Sequence, residues 1–211
     1  RILNTARKLF NLKGIANVSF RDLAKEANMS PGNLGYHYKN MGAVVLALYE
    51  EMEEKMEGVI SSKKFGDLYR LQEIVFYFYQ FQTTYLFFFM DLGIIARMYP
   101  EIAERHGRAM ERHIQEGTRL LFTYVEAGLL EPEPFPGTYE KIAHTVWLIN
   151  TYWSTQKRLM QHSNFPINKR FTLDMIWNLL LPHLTEQGRR QYSSLADSFK
   201  KLETQNQHSN P

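Results

Sequence analysis

The side chains best suited to chemistry are grouped between Ser19 and Lys39, and their chemistry is hydrogen bonding and charge rather than bond making. Hydroxyl, amide, phenol, imidazole and cationic groups occur there without an adjacent nucleophile and base. Such groups bind the phosphate oxygens and base edges of nucleic acids, and a glycine among them lets the backbone approach closely. The candidate contact residues are Ser19, Arg21, Ser30, Gly32, Asn33, Tyr36, His37 and Lys39.

The charge distribution favours a polyanionic partner at this end of the chain. The 211 residues carry a formal net charge of only +3. Residues 1–49, however, contain seven basic side chains and two acidic ones, so the remainder is slightly acidic. A basic end on a nearly neutral protein favours binding to a polyanion such as DNA. Because the following residues 50–57 are acidic and would repel phosphate, we expect the contact face to end near Tyr49.

Two short helices joined by a tight turn must position these side chains. Ser19 is a suitable N-cap, with Asp22 in the capping-box position three residues later. Asn28 tolerates the left-handed conformation that ends a helix, and Ser30 and Pro31 suit the cap and first turn of the next one. The pattern predicts a helix-turn-helix, in which the second helix enters the major groove of DNA and the first crosses the backbone.

Helical periodicity continues along the rest of the chain, with few strand signals. We predict helices over residues 1–13, 20–27, 31–38, 41–61, 67–89, 91–98, 100–127, 137–162, 168–182 and 185–203, with a break at 63–66. The predicted fold class is all-α. A three-helix helix-turn-helix DNA-binding domain over residues 1–47 is followed by a larger helical domain over 48–204 and a polar tail over 205–211.

The run SFRDLAKEANMSPGNLGYHYKN, residues 19–40, resembles the DNA-binding domain of TetR-family transcriptional regulators. The residues that match the family pattern as they stand are Ser30, Gly32, Leu34, Tyr36 and His37, and Tyr38 replaces a phenylalanine. The resemblance covers about residues 2–50, and the later run LLPHLTEQGR is also similar to certain members. It implies that the larger domain binds a small molecule and forms a homodimer.

Two positions depart from the family pattern. Gly35 stands where the family usually has an aromatic side chain, and Met41 stands where it often has a lysine that reaches a phosphate. Glycine lowers helix propensity by up to about 1 kcal/mol relative to alanine. Loss of one phosphate contact weakens DNA binding and its dependence on salt. We therefore expect Gly35 and Met41 to weaken binding to DNA without changing the type of domain.

The aromatic side chains of the larger domain are numerous enough to line a pocket as well as a core. A single aromatic residue on a helix more often belongs to the core. Polar groups at similar depth are candidates to orient a ligand, which we expect to be apolar or aromatic. The candidate pocket residues are Phe78, Gln80, Tyr85, Phe88, Arg97, Tyr124, His144, Trp147 and Asn150.

The predicted dimer pairs two apolar helices near the C-terminus, over residues 139–161 and 169–181. Two such faces suit an isologous four-helix interface. The candidate interface residues are Ile142, Val146, Trp153, Phe171, Ile176 and Leu180. Two-fold symmetry would place the recognition helices about 34–36 Å apart or slightly more, which matches a palindromic operator in double-stranded DNA.

Several other classes of function find little support. The absence of cysteine excludes disulfides and thiolate chemistry and fits a reducing, cytoplasmic compartment. His106 and His113 lie seven residues apart, which favours a solvated polar face over a metal site. The apolar run from Ile74 to Ile95 is interrupted by polar residues, so we expect no membrane span. The sequence contains no phosphate-binding glycine loop or catalytic motif, so we expect neither an enzyme nor a cofactor.

The leading hypothesis is a ligand-responsive transcriptional regulator, and specifically a repressor, that binds palindromic operator DNA as a homodimer. Its effector would shift the fourth helix and thereby change the separation of the two recognition helices. The alternative is an architectural DNA-binding protein with a ligand-free helical body.

Overall fold

The computed structural model describes residues 1–60, 67–164 and 169–195, and the regular elements in these ranges are helical. The helices are α1 (Ile2–Lys13), α2 (Phe20–Glu26), α3 (Pro31–His37), α4 (Met41–Ile60), α5 (Leu68–Thr84), α6 (Leu86–Met90), α7 (Leu92–Met98), α8 (Pro100–Glu126), α9 (Thr138–Leu159), α10 (Lys169–Leu180) and α11 (186–195). The all-α prediction is confirmed. The predicted break at 63–66, the end of the last helix and the polar tail lie outside the described residues.

The chain divides into two compact units by its internal contacts. Unit 1 comprises the described residues of 1–62, 78–113 and 151–167, and unit 2 those of 63–77, 114–150 and 168–211. Unit 1 therefore contains α1 to α4 together with α6 and α7. The division into domains at residues 47 and 48 remains a prediction from the sequence.

Unit 1 positions the helix-turn-helix through a small apolar core. Ala6 and Phe10 of α1 are fully buried, as are Leu23 of α2 and Leu34 of α3. Burial of the larger side chains, Phe10, Leu23 and Leu34, contributes roughly 1.5–3 kcal/mol each to folding. The Arg1 guanidinium also donates a hydrogen bond to the carbonyl of Ala27 at 2.9 Å, which holds the end of α2 against the start of α1.

The predicted single helix over 67–89 is wrong, because the helix is interrupted at Tyr85. This residue has φ −112° and ψ 39° and separates α5 from α6. Its phenol is fully buried and donates to Glu51 Oε1 at 2.5 Å, while Lys55 Nζ donates to the phenol oxygen at 2.8 Å. The backbone groups released by the break are paired with Asn11, which meets the requirement that such groups be satisfied.

Unit 2 has its own hydrophobic core. Tyr124 of α8, Tyr139 of α9 and Ile176 of α10 are fully buried in it. The start of α11 packs closely, because a Cβ on Gly188 would lie 2.1 Å from the carbonyl oxygen of Leu129. Within the described ranges, no helix combines the length and the apolar character needed to cross a bilayer.

Candidate nucleic-acid interface

The start of α2 is fixed by a complete capping box. The Asp22 amide donates to Ser19 Oγ at 3.1 Å, and the Ser19 amide donates to Asp22 Oδ2 at 2.9 Å. Hydrogen bonds from Ser19, first from its side chain and then from its backbone, lower the pKa of Asp22. The prediction of this cap is confirmed, and two of the amides at the start of the helix are satisfied locally.

The turn into α3 also follows the prediction. Asn28 adopts the left-handed conformation with φ 53°. Ser30 Oγ accepts a hydrogen bond from the Asn33 amide at 3.1 Å, and Pro31 occupies the first turn. Leu34 is the side chain of α3 that is buried, so it anchors the helix and leaves the rest of its surface available.

All eight residues predicted to contact DNA are exposed. Tyr36 is the most prominent of them, with 88% of its surface accessible. Its ring lies edge-on to that of His37, with 5.6 Å between ring centroids. The exposed phenol and imidazole both carry hydrogen-bonding groups. Because the two side chains are exposed, packing within the chain does not account for their presence here. The eight residues can therefore supply donors, acceptors and two cations, Arg21 and Lys39, to a polar partner.

Gly35 leaves a gap in the exposed face of α3. A Cβ built on it meets no heavy atom within 4 Å, so packing within the chain does not require glycine there. Met41 opens α4, where Asn40 Oδ1 accepts from the Ala43 amide at 3.0 Å. Both departures from the family pattern thus lie on or beside the exposed face.

An open groove of about 450 Å³ lies beside this face. It is lined by residues 1–4 at the start of α1, by His37 and Tyr38, and by Glu51 of α4. Sequence reasoning did not find it, since its walls come from three helices that are distant along the chain.

The predicted effector residues are distributed between the two units. Phe78, Gln80, Tyr85, Phe88 and Arg97 belong to unit 1, and Tyr124, His144, Trp147 and Asn150 to unit 2. In this single chain Gln80, Arg97 and His144 are exposed, whereas Tyr85, Phe88 and Tyr124 are buried. The ring centroids of His144 and Trp147 lie 6.3 Å apart. Their role in binding an effector remains a prediction.

Most of the predicted dimer residues pack against other side chains of their own chain. Ile142, Ile176 and Leu180 belong to the core of unit 2, and Val146 packs against it. Trp153 of unit 1 is 7% exposed and stacks on Tyr79 at 4.5 Å. In the sequence, a helix face that packs into a core has the same apolar pattern as one that binds a partner chain. The pattern alone therefore does not distinguish core residues from interface residues. The exposed apolar residues of α9 are instead Leu148, Tyr152 and Leu159.

His106 is not part of a solvated face as predicted. Its Nε2 atom is buried without a hydrogen-bond partner among the described residues, and its Nδ1 atom lies 3.5 Å from the hydroxyl of Tyr49. Burial, with a smaller contribution from His113, lowers the pKa of His106 to about 4. The imidazole is therefore neutral at pH 7. No cluster of three or more metal-ligating side chains occurs in the described part of the chain.

Arg105 joins α8 to α4. It contacts Glu50 at 2.9 Å and also pairs with Glu53. Ion pairs within α8 are present as well, between Arg108 and Glu104 and between Arg119 and Glu116. The pairing of Arg105 with α4 could not be predicted from the sequence, because Glu50 and Glu53 lie more than fifty residues away.

Comparison with known proteins agrees with this geometry. The model for bacterial regulatory proteins of the tetR family matches residues 2–48, and the model for a bacterial transcriptional repressor, TetR, matches residues 48–192. The chain therefore belongs to the TetR family of transcriptional regulators, with a helix-turn-helix DNA-binding domain. No curated protein matches it.

Solved structures show the same fold. A TetR-family transcriptional regulator from Marinobacter aquaeolei VT8 is 22% identical, with a TM-score of 0.83 over 94% of this chain and 96% of that one. A gamma-butyrolactone receptor, described as ArpA-like, is 15% identical, with a TM-score of 0.68 over 95% of each chain. SmeT in complex with triclosan is 14% identical, with a TM-score of 0.63 over 88% of this chain and 90% of that one.

Proposed function

We propose that this protein is a transcriptional repressor that binds a palindromic operator as a homodimer and releases it when a small apolar or aromatic effector binds. The observation that carries the proposal is the exposed face of α3, which is capped, anchored by Leu34 and rich in hydrogen-bonding groups. These features suit insertion into the major groove. Because its partner is DNA, the protein would act in the cytoplasm.

Within this proposal the eight residues have different roles. Asn33 and Tyr36 reach base edges, while Ser19, Arg21, His37 and Lys39 hold phosphates on either side. The hydroxyl of Ser30 is engaged by the Asn33 amide, so it orients α3. Gly32 has only the Ser30 hydroxyl near its Cβ position, at 3.9 Å, and lets the backbone approach the groove.

The proposed dimer uses the exposed apolar residues of α9. Leu148, Tyr152 and Leu159 are 43%, 51% and 80% exposed, and their spacing of four and seven residues places them on one helical face. A face of this kind pairs isologously about a two-fold axis. The interface residues predicted from the sequence, such as Ile142 and Ile176, would then pack inside each chain behind this face.

The proposed effector contacts the aromatic residues of the helical body. Two structures with this fold are described as a gamma-butyrolactone receptor and as a complex with triclosan, which supports a small organic ligand for this chain too. The rings of Phe78, Phe81 and Phe89 lie 6.1–6.2 Å apart in unit 1. Such surroundings favour an apolar or aromatic ligand with few polar groups. No catalytic step is part of the proposal.

The test is selection from a random duplex library with the purified full chain. We expect the enriched sequences to contain two inverted half-sites, and sedimentation to show two chains on each duplex. Leu148→Glu with Tyr152→Glu should yield monomers that bind a single half-site more weakly. Enrichment of no sequence would overturn the operator proposal, and a monomeric wild-type chain on DNA would overturn the dimer.

A further inference from the structure

His106 of α8 packs against two aromatic rings within unit 1. Its ring centroid lies 5.0 Å from that of Phe88 on α6 and 6.0 Å from that of Tyr49 on α4, and both rings meet it edge-on. The rings of Tyr49 and Phe88 are themselves 5.5 Å apart. The imidazole therefore lies against apolar surface from two other helices, although it carries two nitrogen atoms that form hydrogen bonds.

The hydroxyl of Tyr49 determines where this imidazole carries its proton. Burial, and then the charge of Glu53 and a hydrogen bond with it, raise the pKa of Tyr49. The carboxylate of Glu53, which pairs with Arg105, can only accept a hydrogen bond, so the hydroxyl donates to it. The Tyr49 oxygen then accepts from His106 Nδ1, which lies 3.5 Å away. Because a neutral imidazole has a single N–H group, Nδ1 holds the proton.

The other nitrogen of His106, Nε2, is then a hydrogen-bond acceptor that lacks a donor. It is buried and has no partner among the described residues. A buried polar group in this state costs free energy, which is recovered when a donor reaches it. The donor must be uncharged, since the burial that keeps the imidazole neutral also opposes a charged group. A carboxylate would bring only further lone pairs to Nε2.

We propose that His106 Nε2 accepts a hydrogen bond from the effector and thereby selects a neutral molecule with a hydroxyl or N–H group on an aromatic or apolar body. The rings of Phe88 and Tyr49 contact this body, and Tyr49 is also the positioning residue that keeps the lone pair on Nε2. The inference deepens the proposed function, on which its biological meaning rests. It adds His106, which the sequence placed on a solvated face, to the residues that bind the effector.

The test uses two probe molecules, phenol and naphthol, each compared with its methyl ether and with the carboxylate of the same ring system. The ethers keep the aromatic body and lose the donor, whereas benzoate and naphthoate are charged. The full chain is labelled with the heavy nitrogen isotope in its seven histidines, and magnetic resonance shows which nitrogen of each ring carries a proton. Comparison with His106→Gln identifies the signals of His106.

Without a probe, His106 should carry its proton on Nδ1. Phenol and naphthol should shift the Nε2 signal and bind about tenfold more tightly than their ethers, equivalent to about 1.4 kcal/mol for one hydrogen bond. The carboxylates should leave the signal unchanged. A proton on Nε2, equal binding of hydroxyl compounds and ethers, or an Nε2 signal that neither hydroxyl probe shifts would each overturn the inference. A buried water molecule that already donates to Nε2 would give the last of these results.

The variants separate the hydrogen bond from packing. His106→Phe keeps a ring and removes the acceptor, so it should abolish the preference for phenol over its ether, and an unchanged preference would overturn the inference. His106→Gln retains an oxygen acceptor and should keep part of the preference. If His106→Phe does not fold, Tyr49→Phe provides the test, because loss of the hydroxyl lets the proton move to Nε2 and should reduce the preference. His162→Phe, at an exposed histidine of unit 1, is the matched control and should behave as the wild type.

Binding to a selected duplex distinguishes this inference from the proposed function. A wild-type chain that binds no duplex would contradict the proposed function and leave the result at His106 intact. A chain that binds a duplex but does not prefer phenol over its ether would contradict the inference alone.

Discussion

The exposed face of α3 and the junction at Tyr85 use similar side chains in opposite ways. At the junction, Tyr85, Glu51 and Lys55 satisfy one another's hydrogen bonds and hold helices in place. On α3, Tyr36 and His37 are exposed to solvent. Polar groups that are satisfied within the chain stabilise a fold, whereas exposed groups on a rigid, capped helix are available to a partner.

The strongest test of this contrast replaces tyrosine by alanine in both places. Tyr85 is fully buried, so Tyr85→Ala should lower the free energy of unfolding by about 3–5 kcal/mol. Tyr36 is 88% exposed, so Tyr36→Ala should change it by less than about 0.5 kcal/mol while weakening DNA binding. Urea titrations of both variants measure the difference. Equal destabilisation would remove the distinction between the two regions.

A smaller change in the free energy of unfolding is expected when the pH falls and the buried imidazole of His106 becomes protonated. The folded chain holds its pKa at about 4, below the ordinary value of 6.5, so the unfolded chain binds the proton first. The stabilisation is complete above pH 6.5 and is lost as the pH falls toward 4, by at most about 3 kcal/mol. Urea unfolding at pH 7.5, 6 and 5 tests this expectation. His106→Gln should show a flatter profile across that window, and an identical profile would contradict the assignment.

A third prediction concerns the cap that orients α3. Ser30→Ala removes the acceptor for the Asn33 amide and should cost about 1 kcal/mol. Ser30→Asp retains an acceptor and is the matched control for stability. The midpoint of thermal unfolding, measured for both, should fall only in the alanine variant. A fall of the same size in both would show that the cap contributes through something other than this hydrogen bond.

The smallest effect is expected at Gly35, where stability and DNA binding are measured separately. Alanine there meets no heavy atom within 4 Å and should stabilise α3 by up to about 1 kcal/mol. The added methyl group would stand on the proposed DNA face and should alter affinity for a selected duplex. Thermal unfolding and fluorescence anisotropy measure the two quantities. A variant that is destabilised would show that the glycine serves the fold.

The reading face could be predicted from the sequence because its signals are local. The caps at Ser19 and Ser30 and the left-handed Asn28 depend on residues within three positions of each other, and all of them are present. The interruption at Tyr85 could not be predicted in this way. Its partners Glu51 and Asn11 lie 34 and more residues away, and the surrounding aromatic run is compatible with one continuous helix.

The interior of the helical body shows a second limit of prediction from the sequence. Ile142, Ile176 and Leu180 have the spacing of a dimer interface, yet they fill the core of their own unit. Periodicity identifies an apolar face but not what covers it. His106 illustrates the same limit for a polar residue, because its burial depends on Tyr49 and Phe88 from other helices.

The most direct test of the central claim is the salt dependence of DNA binding at Lys39. Affinity for a selected duplex is measured by anisotropy at several salt concentrations for the wild type, Lys39→Ala and Lys141→Ala, an exposed lysine of unit 2 that serves as control. Removal of one phosphate contact in each chain should reduce the slope of log affinity against log salt by about 0.9 per contact. The account predicts this reduction for Lys39→Ala alone. A slope equal to that of the wild type would contradict the proposed contact face.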